Sequence, residues 1–138
     1  MIGVSPMSHI PYRVLVAEDN HVMSDVLQLN LERGGFEVVA TNNGRLAIEQ
    51  LRTQHFDLLI TDYQMPEVDG EQLCQAVREE LSIHELPIVM CSAKGLELDT
   101  AELEAKYGIT KVIYKPFSMR EIVALARSLV AKSQAISS

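Results

Sequence analysis

The chain has 138 residues, 47% of them hydrophobic, and carries a net charge of −7. That is the size of one ordinary domain, with enough apolar residues for a core. The negative charge disfavours binding to nucleic acid or to acidic membranes through the body of the domain. The apolar runs are far too short to span a bilayer. The first eleven residues have neither the basic region nor the apolar core of a signal peptide. Residues 1–11 read as a flexible tail, 12–131 as the folded domain, and 132–138 as a C-terminal tail or linker. Cys74 and Cys91 lack metal-type or redox-type spacing. They read as small buried hydrophobes, which fits a cytoplasmic setting. The four histidines, His9, His21, His55 and His84, are scattered and offer no metal set.

In chain order, Arg13–Ala17 is the first strand, with Val14, Leu15 and Val16 continuous and apolar. It ends in Glu18-Asp19-Asn20, where Asn20 is a helix N-cap. A helix follows to about Arg33, with Val22, Val26 and Leu29 as its inward face, widened by Met23 and Leu27. Gly34-Gly35 stops it in a left-handed cap. Strand two is Phe36–Ala40, its single charge Glu37 suiting an edge. After the turn Asn42-Asn43-Gly44, a helix runs to about His55 with Ala47, Ile48 and Leu51 inward. Asp57 then leads into Leu58-Leu59-Ile60, a short apolar run that reads as a fully buried strand, and the strand ends in Asp62. Met65-Pro66 breaks it. Asp69 caps the third helix with Gln72 three residues on, as in a capping box. That helix, about Glu71 to Leu81, buries Leu73, Cys74, Ala76 and Val77.

Strand four is Ile88–Cys91, ending at Ser92-Ala93. Residues 95–107 are the weakest helical segment, because Leu96, Ala101, Leu103 and Ala105 make no clean stripe. Strand five is Lys111–Tyr114, closed by Lys115-Pro116-Phe117. Ser118 and Glu121 form a capping box for a last helix that buries Ile122, Leu125, Ala126 and Leu129. Five βα units in this order imply a doubly wound α/β domain, a parallel sheet with helices on both faces.

In such a sheet, ligands gather at the carboxyl ends of the strands. Those ends carry Glu18 and Asp19, Asp62, Ser92, and Lys115. Each taken singly has an ordinary structural reading, as a solvated loop, a cap, a turn or a surface lysine. Their joint placement shifts the balance. Three carboxylates sharing one pocket repel unless a cation intervenes, and Lys115 supplies a single positive charge. An all-oxygen site with excess negative charge suits a hard divalent ion, Mg²⁺ above all.

The set Glu18-Asp19, then Asp62 followed by Met65-Pro66 and Gly70, then Ser92-Ala93, then Lys115-Pro116-Phe117, resembles the receiver domain of bacterial two-component response regulators. The resemblance covers about residues 12–131. It implies a flavodoxin-like five-stranded parallel sheet in the order 2-1-3-4-5 with five helices. It also implies phosphoryl transfer to Asp62 from a phosphohistidine on a sensor histidine kinase or a histidine phosphotransfer protein. Asp19 would ligate Mg²⁺ directly, Glu18 through water, Asp62 by a side-chain oxygen and Gln64 by its backbone carbonyl. Lys115 and the Ser92 hydroxyl would contact the phosphoryl group, with the Ala93 N–H beside it. The domain would then switch its binding of a downstream target protein or output domain, and a homodimer is left open. It would assist its own phosphorylation and autodephosphorylation without being an enzyme on outside substrates. A cis Lys115-Pro116 bond is implied too.

The chain departs from the family pattern at two points. Position 112 is Val where receivers carry an aromatic switch residue. Tyr114, two residues on, reads as packing under the last helix. Glu18 stands where many receivers carry Asp. Rival readings fare worse. A nucleotide- or flavin-binding module would hold phosphate at the loop after strand one, but here that loop carries two negative charges, and neither a G-x-G-x-x-G nor a Walker loop is present. A phosphatase acting through an aspartyl intermediate would need a cap for which 138 residues leave little room. A pseudo-receiver that scaffolds partners without phosphorylation is the alternative. Because nothing after residue 131 could form an output domain, a stand-alone receiver, or one cut from a longer protein, is expected.

Overall fold

The computed structural model of the chain describes residues 11–93 and 98–137, with side chains up to Lys132. The expected N-terminal tail, apart from Pro11, and the start of the expected fourth helix at 95–97 lie outside the described residues.

Five strands form one parallel sheet in the order β2-β1-β3-β4-β5. They are β1 (Arg13–Ala17), β2 (Glu37–Thr41), β3 (Leu58–Asp62), β4 (Ile88–Ala93) and β5 (Lys111–Lys115). The five helices are α1 (His21–Arg33), α2 (Gly44–Thr53), α3 (Gly70–Gln75, continued by a π-helical turn over Ala76–Glu80), α4 (Thr100–Tyr107) and α5 (Met119–Ser137). The expected flavodoxin-like architecture is the one observed. All five residues of β3 are buried, as its unbroken apolar run requires for a strand covered on both faces. The two edge strands are only partly covered.

Strand alternation sorts the core into two layers. Leu15, Ala17, Leu59, Ile88 and Met90 face the layer that contains Ala47 and Leu51 of α2, Leu73 and Cys74 of α3, and Leu103 of α4. Val14, Val16, Leu58, Ile60, Val89 and Cys91 face the layer of Leu27 and Leu31 of α1 and Ile122, Ala126 and Leu129 of α5. Each fully buried aliphatic side chain contributes on the order of 1.5–3 kcal/mol from leaving water. Crossovers leave β1 and β3 toward opposite faces. The switch point therefore lies between them, at the ends that carry Glu18-Asp19 and Asp62.

Most element expectations stand. Asn20 caps α1 by accepting from Met23 N at 2.9 Å. Gly35 takes φ +99° just past the helix, a conformation glycine adopts without strain. The Asp69–Gln72 capping box is complete. Ser118 Oγ accepts from Glu121 N at 3.3 Å, the N-cap half of its expected box. The Lys115-Pro116 bond is cis. Cys74 and Cys91 are free and buried, on opposite faces of the sheet.

Four readings need correction. On α1, Val22 is 74% exposed, Leu29 47% and Val26 38%, while Ser24, Leu27 and Leu31 are buried. The helix carries two apolar stripes at the helical period. The buried one is fixed by Leu31, whose carbonyl accepts from Phe36 N where the chain turns into β2. Ala76 is only half-buried, because the π-helical turn begins there and rotates the remainder of the third helix. Leu125 is also only partly buried, packed at the margin of its layer. Tyr114 lies on an edge strand and is 39% exposed, so it is not packed away under α5. Helical backbone also continues through residues 132–137 as the end of α5.

Candidate functional site

The end of β3 is built to hold one carboxylate still. Asp62 pairs in register with Cys91 on β4. The ladder continues one step further, with Tyr63 N donating to Cys91 O at 2.7 Å. The chain then returns on itself, and Gly70 N donates to Tyr63 O at 2.8 Å. A Cβ at Gly70 would collide with the Asp62 carbonyl oxygen and lie 2.9 Å from Tyr63 Cα. Only glycine permits this approach of α3 to the site.

Around Asp62 the expected side chains gather. Lys115 Nζ lies 3.1 Å from Asp62 Oδ1 and 3.0 Å from Glu18 Oε1. Glu18 Oε2 accepts from the Asn20 backbone N–H at 3.1 Å. Carboxylate oxygens of Glu18, Asp19 and Asp62 lie within 4.8 Å of one another. Glu18 is 3% exposed and Asp62 9%, whereas Asp19 is exposed. Ser92 and Ala93 close the next strand, where Ala93 is the register partner of Lys115. Ser92 Oγ is buried and has no hydrogen-bond partner among the described residues. Gln64 is exposed and lines an open cleft of about 460 Å³ together with Asp19, Tyr63, Met65, Pro66 and Asp69.

Burial, followed by the negative charge of Glu18, raises the carboxyl pKa of Asp62; Lys115 opposes the shift, and Asp19 adds a smaller push. For Lys115, burial works to lower the pKa. The hydrogen bond to Glu18 and the charge of Asp62 outweigh it and leave the ammonium held above its ordinary value. The pocket is therefore overloaded with negative charge, three carboxylates against one ammonium. Oxygen donors this close, one of them solvent-facing, fit a small hard divalent cation. The partnerless Ser92 hydroxyl fits a further oxygen-rich group beside it.

Two features of the site were not legible in the residue pattern. One is the Asn20 N–H that holds the second oxygen of Glu18. The other is the solvent-facing stripe of α1, whose Val22, Met23 and Val26 line a shallow apolar hollow with Asn20 and Lys115. The apolar repeat was present in the sequence, but its outward orientation was not.

A doubly wound α/β domain with an acidic pocket and a lysine at its switch point is the architecture expected of a receiver domain. Comparison gives the same class. The family model described as response regulator receiver domain matches residues 14–127. The chain belongs to that family, whose members are signalling domains of two-component systems. It is 32% identical to the alkaline phosphatase synthesis transcriptional regulatory protein PhoP of Bacillus subtilis, over 88% of this chain and 50% of that one. It is 38% identical to a protein of Picosynechococcus named "Probable transcriptional regulatory protein", over 100% of this chain and 59% of that one. The chain thus spans about half the length of the curated relatives it matches. Among solved structures, the receiver domain of a Francisella response regulator is similar with a TM-score of 0.78 and 25% identity, covering 88% of this chain and 98% of that one. A CheY-like receiver domain protein of Methanospirillum hungatei shares the fold, with a TM-score of 0.82 at 17% identity over 91% of this chain and 98% of that one. No helix among the described residues is long and apolar enough to cross a membrane.

Proposed function

We propose that Asp62 accepts a phosphoryl group from a phosphohistidine on a sensor histidine kinase or histidine phosphotransfer protein, and that the modified domain changes its binding of a target. The observation that carries this reading is the buried Asp62 carboxylate, 3.1 Å from the Lys115 ammonium and within 4.8 Å of two further acids.

An Asp62 carboxylate oxygen attacks phosphorus in line. The P–N bond to the donor histidine breaks, and the imidazole keeps the electron pair. Such transfers need positioning and charge neutralisation more than covalent help. Lys115 neutralises one phosphoryl oxygen and is held in place by Glu18. The Ser92 hydroxyl donates to another, with the Ala93 N–H beside it. Ala93 is small and exposed, which leaves room for a donor histidine or, later, for the water that hydrolyses the aspartyl phosphate. Asp19, Asp62 and the Gln64 carbonyl would hold Mg²⁺, with Glu18 acting through water. When bound, that ion supplies further charge neutralisation at the phosphoryl oxygens.

The readout is a population shift, which needs roughly 5.5 kcal/mol of differential interaction for near-complete switching. Position 112 is a half-buried Val packed in the α2–α3–α4 layer, so the usual aromatic switch residue is replaced there. The donor docks on the loop end around Asp62 and on α1, whose exposed Val22, Val26 and Leu29 supply an apolar face. The target reads α4, β5 and α5. A domain in these roles would work in the cytoplasm.

Incubation with Mg²⁺ and acetyl phosphate tests the proposal. Intact-mass spectrometry should find one added phosphoryl group in wild type and none in Asp62→Asn. A wild type that gains nothing leaves the pseudo-receiver scaffold as the better reading.

A further inference from the structure

Outside the pocket, the most heavily bonded side chain among the described residues is Arg78, in the π-helical turn that ends the third helix. Its guanidinium donates to four backbone carbonyls: Tyr107 O at 2.6 Å, Leu86 O at 2.8 Å, Ile83 O at 2.9 Å and Gly108 O at 3.2 Å. No carboxylate among the described residues pairs with it. Two of its acceptors belong to the last residue of α4 and to the Gly108 cap that follows, where a helix leaves carbonyls unsatisfied and a cation is favoured. The other two lie in the loop between α3 and β4. π-helical turns are rare, appear mostly as single-turn bulges inside α-helices, and occur frequently at functional sites.

A second tie lies on the same helix pair. The Tyr107 hydroxyl donates to Glu71 Oε2 at 3.1 Å. Glu71 follows Gly70, the residue packed against the Asp62 backbone. The far end of α4 is thus lashed to a helix that abuts the phosphoacceptor, while its near end follows Ser92 along the chain. Between the two ends Leu103 alone of α4 is buried in the core.

We propose that Arg78 and the Glu71–Tyr107 pair form a clamp that fixes the C-terminal end of α4, so that a displacement of this helix on phosphorylation pivots about Tyr107-Gly108 instead of detaching it. The function of the swing rests on the reading of Asp62 given above. The clamp itself exists in the unmodified protein and is tested there.

The test is hydrogen exchange by mass spectrometry on the full chain, comparing wild type with Tyr107→Phe and Arg78→Lys. Tyr107→Phe removes one oxygen and keeps the packing. A lysine at 78 reaches one or two of the four carbonyls in place of the planar fork. Both variants should exchange about tenfold faster over 103–108, Arg78→Lys also over 82–87, with β1 and β3 unchanged and with phosphoryl uptake at Asp62 as in wild type. Unchanged exchange over 103–108 in both variants overturns the clamp. Faster exchange spread evenly through β1 and β3 also overturns it, because that marks global destabilisation. A second comparison adds Mg²⁺ and acetyl phosphate to wild type and to Tyr107→Phe. In phosphorylated wild type the exchange change should stay within 98–103, and in the variant it should extend to 108. Phosphorylation with a change spread over all of 98–108 in wild type overturns the pivot. Absence of any phosphoryl gain would count against the Asp62 reading alone, since the first comparison judges the clamp without it.

Discussion

Lys115 Nζ lies 3.1 Å from Asp62 Oδ1 although the two residues end different strands, β5 and β3, with β4 between them in the sheet. Burial raises the pKa of Asp62, and Glu18 raises it further. The fold therefore favours the neutral form of this acid more than the unfolded chain does. The stability it contributes is complete below the unfolded-state pKa and is lost as pH rises through the raised folded value. Asp62→Asn keeps a neutral group at every pH. Its stability advantage over wild type should grow as metal-free protein is taken from acid toward neutral pH. Urea midpoints in EDTA measure this, and a pH-independent difference would count against it.

Adding Mg²⁺ should raise the thermal midpoint of wild type, since the ion relieves the repulsion among Glu18, Asp19 and Asp62. With the ion at about a hundred times its dissociation constant, linkage gives roughly 2.7 kcal/mol. Asp19→Asn should lose most of the shift while changing metal-free stability by less than about 0.5 kcal/mol, because Asp19 is exposed. Calorimetry with and without the ion separates the two effects.

Gly70→Ala should cost about 2 kcal/mol or more, the range for forcing extra volume into a packed site. The new Cβ meets the Asp62 and Tyr63 backbone, so phosphoryl uptake should fall as well. Denaturant unfolding and acetyl phosphate labelling of the same preparation test both parts.

Burial pushes the thiols of Cys74 and Cys91 up to about 12. The thiolate is the reactive form. Native protein should therefore react negligibly with Ellman's reagent at mildly alkaline pH and should titrate both thiols once unfolded in guanidinium. Rapid reaction of either thiol in the native state would mean that its side of the sheet opens.

Val22→Asp should leave stability within about 0.5 kcal/mol of wild type, as expected for an exposed helix position. The same change should slow phosphoryl transfer from a partner kinase by tenfold or more and leave labelling by acetyl phosphate untouched. Comparing the two donors isolates docking from chemistry.

The parallel sheet was legible because continuous apolar runs such as Leu58-Leu59-Ile60 leave few alternatives in a βα alternation, whereas its strand order was implied only by the resemblance to receiver domains. The acids and the lysine were legible because strand ends are where a doubly wound fold places its chemistry. The orientation of α1 was not, since its two apolar stripes share one period and only the turn into β2 selects between them. The placement of Tyr114 was missed because an edge strand leaves one side without a covering helix. The π-helical turn at Ala76–Glu80 has no compositional mark, and the Arg78 clamp it creates depends on carbonyls from two separate segments.

The most direct measurement is a crystal structure of the protein grown with Mg²⁺ and beryllium fluoride, a stable mimic of a phosphoryl group. The expected result is a fluoroberyllate on the Asp62 carboxylate, touched by Lys115 Nζ and Ser92 Oγ, with the metal on Asp19. Density that leaves Asp62 unmodified while the adduct or metal sits elsewhere would contradict the assignment.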